Sequence, residues 1–199
     1  MKSCVLLVAA FFTASVALGQ SALSLTIDPP ASKVLWTATK MTGDHTGGVP
    51  VKSGAIDLSD TDLKSARITM DMTGITCLDV EDAGTNAKFV AHLKGADFFD
   101  VEKNTEASFT TTAVEKITDA APGKPNYRVT GDLTIKGITQ PNTFDCLFWM
   151  DGRTARAAAN FTFDRAKYDI KYRSGTFFPE IGDKAISDTV SLTFDVSAK

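Results

Sequence analysis

The chain is poor in the residues that carry most enzyme chemistry, with two histidines and three cysteines among 199 residues. That is too little cysteine for a small disulfide-stapled scaffold. No HExxH or CxxC spacing gathers ligands, so no metal is expected. No G-x-S-x-G turn occurs, which leaves a serine-hydrolase triad without its nucleophile elbow, and no catalytic residue is assigned. Lysine and arginine, 21 against 24 acids, stand singly between carboxylates. Nucleic acid demands clustered cations along its phosphates and is excluded as a partner on that ground. Beyond the first segment no apolar run approaches the ~20 residues that cross a bilayer as a helix, so no transmembrane segment is expected.

What is present begins with a leader. Lys2, the apolar run from Val5 to Val16 and the small residues of Ala17-Leu18-Gly19 read as a signal peptide over 1–19, cleaved before Gln20. The mature domain then spans 20–199 and is periplasmic or secreted. Cys4 sits at the start of the leader and not at its cleavage site, which argues against a lipid anchor. Cys77 and Cys146 remain, either as a disulfide or as buried thiols.

The dominant pattern is alternation with period two, which places every second side chain on one face of a strand. Val34, Trp36 and Ala38 alternate with Leu35, Thr37 and Thr39; the same rhythm runs through 127–136, 157–164 and 192–197. Turn residues such as Gly47-Gly48, Pro122-Gly123, Gly137 and Asp151-Gly152 divide the runs. Strands are predicted near 24–28, 32–43, 48–58, 65–74, 105–118, 126–137, 139–151, 153–165 and 185–198. One main helix is predicted near 79–94, capped by Asp79 and ended by Gly95, with Ala83, Ala87, Val90 and Leu93 on its apolar side. A short helix or aromatic loop near 166–184 covers an end. The fold class is all-β: a single extended antiparallel barrel of about eight strands, closed to remove its edges. Its inward candidates are Val34, Trp36, Phe109, Leu133, Ile135, Phe144, Phe148, Phe161, Phe163, Leu192 and Phe194. They either line a cavity for one apolar, chain-like ligand or fill the centre as packed core.

An ordered series of short motifs runs through the mature chain. It opens with Ile27-Asp28-Pro29, Ser32-Lys33-Val34-Leu35-Trp36 and Gly43-Asp44-His45-Thr46-Gly47. It continues through the stretch from Asn86 to Lys94, Asp97-Phe98-Phe99-Asp100-Val101, and the run from Val129 to Thr139 and Pro141. It closes with Tyr168-Asp169-Ile170 and the stretch from Gly182 to Ile186. Together these motifs make the sequence resemble the YceI-like proteins, exported barrels of lipocalin-like shape. The resemblance implies a barrel that holds a polyisoprenoid chain, such as an isoprenoid quinone or a polyprenyl phosphate. It requires no cofactor beyond that bound lipid. Cys77 and Cys146 depart from the pattern, standing where Val or another ordinary strand residue is expected, and Asn142 follows Pro141 where an aliphatic residue is usual.

His45, Asn86, His92 and Arg165 are the candidates for polar contacts to a ligand head group at the cavity mouth. The alternative places His45 in a glycine-rich turn and gives His92 a structural bond from the helix. Asp97 and Asp100 read as turn or capping acceptors at a strand entrance and not as an acid/base pair. The exported, alternating barrel read from the residues, joined to what the resemblance implies, gives the expectation of an exported carrier of a long isoprenoid. An enzyme acting on a lipid head group and a filled, ligand-free interaction module are the alternatives, and homodimerisation stays open.

Overall fold

Wherever the sequence alternates, the backbone is extended and hydrogen-bonded to a neighbour. In the computed structural model, which describes residues 22–199, ten strands form one antiparallel sheet. They are β1 (Ala22–Thr26), β2 (Lys33–Lys40), β3 (Gly43–Gly48), β4 (Val51–Ser59), β5 (Asp62–Asp71), β6 (Glu106–Lys116), β7 (Tyr127–Ile135), β8 (Ile138–Asp151), β9 (Thr154–Asp164) and β10 (Ile186–Ala198). One α-helix, α1 (Ala83–Lys94), lies between β5 and β6. The leader expected over 1–19 lies outside the described residues.

The spatial order is β1-β4-β5-β6-β7-β8-β9-β10-β2-β3. Strands β4 to β10 are therefore neighbours in sequence order, and the first three are distributed to the two ends. The sheet curls until the β1 end reaches round to β10, which lies two strands in from the β3 end. Ile27, just past β1, bridges Ala198 of β10, and Thr26 and Lys199 exchange backbone hydrogen bonds of 3.0 and 2.9 Å. Strand β7 shows why the curl buries one face: Tyr127, Val129, Leu133 and Ile135 are buried and Arg128 and Asp132 exposed. Lys136 and Gly137, both at positive φ, close β7 onto β8 in the two-residue turn that matches strand twist.

Three expectations change. The sheet has ten strands in place of about eight, partly because β3 stands where the sequence reads a Gly47-Gly48 turn. Gly47 is a strand glycine selected by close approach: a Cβ there would sit on the Thr76 carbonyl oxygen and against the Trp36 indole. The helix starts at Ala83 and not at 79. Asp82 caps it, accepting from the Thr85 amide at 2.8 Å, because the Asp79 carboxylate is already engaged by β3. Of its expected apolar side only Leu93 is buried and Ala83 and Ala87 are exposed, so the helix touches the barrel through its last turns. The 166–184 cover consists of irregular chain between two 3-10 turns, Arg165–Tyr168 and Pro179–Lys184.

Candidate functional site: an apolar lumen in two lobes

The inward-facing side chains leave space between them. Two adjoining cavities of about 90 and 80 Å³ lie within the sheet. A single water needs roughly 10–15 Å³ of such space, plus polar partners to hold it. These walls offer almost none, so the interior is hollow and apolar and not solid core.

The first lobe lies at the end nearest α1 and the cover. Val34, Trp36, Leu133, Ile135, Phe163 and Leu192 from the strands form its wall, and Leu93, Phe98, Phe99 and Ile170 close its end. The second lobe is walled by Phe109, Phe144, Phe161, Phe194 and Cys146 among others. Val34, Met70, Leu133 and Leu192 belong to both, so the lobes share a waist. Phe144 stacks on Phe161 with centroids 4.3 Å apart, and Phe194 meets both edge-on. Phe109 lies over Gly131, where any Cβ would collide with its ring. In the wall of the first lobe the Trp36 Nε1–H is buried without an acceptor. Phe148, expected in the lining, is buried but packs edge-on to Tyr127 outside both lobes. The alternation could not reveal Met70, Met72, Phe98, Phe99 or Ile170, which reach the lumen from strand ends and loops.

The four side chains expected at a head group are placed differently. Arg165, 3 % exposed, contributes its stem to the first lobe but turns its guanidinium into the cover. Nε and the two Nη atoms donate to the carbonyls of Ser187, Ile170, Tyr172 and Ile186 at 2.9–3.1 Å, and Asp188 lies 3.2 Å from Nη2. That side chain pins the cover and has little left for a ligand. Asn86 donates to the carbonyls of Cys77 and Val80, which fixes α1 to the preceding segment. His92 Nε2 lies 3.0 Å from Asp97, and its ring contacts the edges of Phe98 and Tyr172 at centroid distances of 5.0 and 4.7 Å. It is a clasp between α1 and the cover. His45 and His92 thus engage separate acids, Asp79 and Asp97. Asp100, at φ 44°, holds a turn and pairs with Lys103 at 2.8 Å.

His45 faces a different arrangement. Residues 76–78 run along the free edge of β3, with the Thr76 amide donating to Gly48 and the Leu78 amide to Thr46. This strap carries Cys77 and delivers Asp79, whose Oδ2 lies 2.8 Å from His45 Nδ1 and whose Oδ1 accepts from the Thr46 amide and from the Cys77 thiol at 3.3 Å. Burial opposes ionisation of Asp79, but those three hydrogen bonds outweigh it and hold the carboxyl at about 2. Burial pushes the Cys77 thiol up, and the Cys146 thiol to about 12. Both cysteines are free, which settles the disulfide question among the described residues.

A family profile described as the YceI-like domain matches residues 25–198. Among curated relatives, a UPF0312 protein of Pseudomonas putida strain W619 is 44% identical over 62 residues, 31% of this chain and 30% of that protein. Another, from Photorhabdus laumondii, is 33% identical over 94 residues, 47% and 45% of the two chains. The alignments thus span between a quarter and a half of the curated relatives' length. Solved structures share the fold over nearly their full length. Burkholderia cenocepacia BcnA has a TM-score of 0.63 at 23% identity, covering 87% of this chain and 99% of that one. A polyisoprenoid binding domain from Saccharophagus degradans, implicated in plant cell wall breakdown, gives 0.60 at 14%, covering 88% and 97%. With the family profile spanning nearly every described residue and the same curled sheet found in these structures, the chain belongs to the YceI-like family.

Proposed function

We propose that this protein is a carrier that sequesters a long isoprenoid chain, of the quinone or polyprenyl phosphate type, along its two-lobed lumen. The hollow, apolar interior carries this reading. Each five-carbon isoprene unit moved from water into such walls gains roughly 4 kcal/mol before the costs of ordering and association. It asks for no directional partner, which fits walls that supply none. The Saccharophagus degradans domain of similar fold is described as polyisoprenoid binding, which supports the class of ligand. The mechanism is burial without bond chemistry, so the protein acts as a binding protein and not as an enzyme. Among the described residues no helix is long and apolar enough to cross a membrane. The 1–19 leader and a 20–199 mature domain, acting in the periplasm or outside the cell, complete the reading.

The test is organic extraction and mass spectrometry of protein purified from its native host. One isoprenoid per chain is expected. The Phe161→Asp/Phe194→Asp double variant should remain folded by circular dichroism and lose that lipid, because a carboxylate beside Phe144 has no partner. Folded native protein that yields no stoichiometric lipid refutes the proposal.

A further inference from the structure

The lumen makes no use of the group formed where the 76–78 strap meets β3. There an imidazole nitrogen, a thiol sulfur and a carboxylate oxygen converge, and the three ligand atoms of His45, Cys77 and Asp79 all lie within 4.8 Å of one another. We propose that these three residues bind one borderline-soft divalent cation of the zinc type, with solvent in the fourth position.

The geometry suits such an ion. Ligands held at about 2.0–2.3 Å around a tetrahedral centre stand roughly 3.3–3.6 Å apart. His45 Nδ1 lies 2.8 Å from Asp79 Oδ2 and Cys77 Sγ 3.3 Å from Asp79 Oδ1, and the three ligand atoms lie within 4.8 Å of one another, so side-chain rotation must spread the first contact and bring one Asp79 oxygen, Nδ1 and Sγ round a common centre. The frame around the ligands is already fixed. The Thr46 amide holds Asp79 Oδ1, so Oδ2 is the oxygen that would exchange its His45 hydrogen bond for the ion. Asn86 grips the Cys77 and Val80 carbonyls, and Phe89 packs on the His45 ring at 4.6 Å. Outer contacts of this kind orient metal ligands and tune affinity. Access is also provided, since the His45 and Asp79 side chains are 27 and 29 % exposed above a buried Cys77.

Protons and charge balance without another reactant. An ionised Asp79 can only accept, so the His45 ring proton sits on Nδ1, and the Lys40 ammonium, 3.5 Å from Nε2, fits that tautomer. On binding, the imidazole proton moves to Nε2, the Lys40 side chain swings away into solvent, and the Cys77 thiol proton is released. One thiolate and one carboxylate then neutralise the cation. Neither an occupied lumen nor an isoprenoid ligand is required, so this inference stands or falls apart from the carrier proposal.

The experiment uses the tag-free, reduced 20–199 chain with Co²⁺ as the probe. One Co²⁺ per chain is expected, with a thiolate-to-cobalt charge-transfer band that Zn²⁺ abolishes by displacement. Cys77→Ser should remove the band, His45→Ala and Asp79→Asn should weaken binding by at least about tenfold, and Cys146→Ser should leave it unchanged. Zn²⁺ should also protect Cys77 of the unmodified chain from alkylation, a readout that needs no variant to fold. No thiolate band and no protection in folded protein, or a band that survives Cys77→Ser, overturns the site.

Discussion

Leu133→Ala separates a hollow barrel that holds a chain from one that merely tolerates a void. Leu133 is 1 % exposed on β7, between Phe109 of β6 and Gln140 of β8, and its side chain walls both lobes at their shared waist. Truncation removes three carbons, about 2.4 kcal/mol at roughly 0.8 kcal/mol each. The flanking strands are held by ladder hydrogen bonds on both sides and cannot close over the gap. The cost in lipid-stripped protein should therefore be about 3 kcal/mol, inside the roughly 2–5 kcal/mol of buried Leu→Ala changes. For a chain of this length that lowers Tm by roughly 6–12 °C. A chain lying in the waist refills the vacated space, so protein loaded with an isoprenoid such as farnesol should lose at least about 1 kcal/mol less than stripped protein. Urea unfolding followed by far-ultraviolet circular dichroism measures both forms, with an unchanged m-value as the check on comparable unfolding. A loss below about 1 kcal/mol in stripped protein, or equal losses with and without the chain, refutes the reasoning.

Other consequences are as direct. Gly47→Ala forces a methyl group between the Thr76 carbonyl and the Trp36 indole; a loss of about 1–3 kcal/mol and a changed near-ultraviolet tryptophan signal are expected, as for an overpacked core. The Asp79 carboxyl is held below its ordinary range, so its contribution is complete above about pH 3.8 and disappears as the pH falls through about 2. Hydrogen exchange at Thr46 and Leu78 should accelerate across that window, and Asp79→Asn should abolish the pH dependence. Arg165→Met strands the carbonyls of Ile170, Tyr172, Ile186 and Ser187 and should cost about 3–5 kcal/mol, with limited proteolysis now cutting within 166–184. Cys146, its thiol held at about 12 by burial, should resist alkylation at pH 8 in native protein and react on unfolding.

Much of the sheet is legible because alternation is a local consequence of burying one face. Strands β7 to β10 stand close to where their period-two runs place them, and Gly137 and Gly152 turn the chain at positive φ between them. Strand β3 is illegible for an equally physical reason. Its glycines are ordinary turn formers by sequence and become strand residues only because Trp36 and Thr76 need the space a side chain would take. The helix start shifts because two aspartates compete as caps, and Asp79 is taken by β3.

The amino-acid order alone thus determined the all-β class, the inward identity of most wall residues and the rarity of chemically reactive groups, since each depends on neighbours one to four positions apart. Tertiary structure decided what distance along the chain conceals. Whether the curled sheet packs solid or stays hollow depends on its curvature and on Phe98, Phe99 and Ile170 arriving from loops. Asn86 and Arg165, suited by type to a head group, are spent on backbone carbonyls that only folding brings near. His45 and Asp79, 34 residues apart, meet with Cys77 because a strap pairs with the free edge of β3. No local pattern records such a meeting, because strand edges choose their partners by geometry and not by sequence spacing.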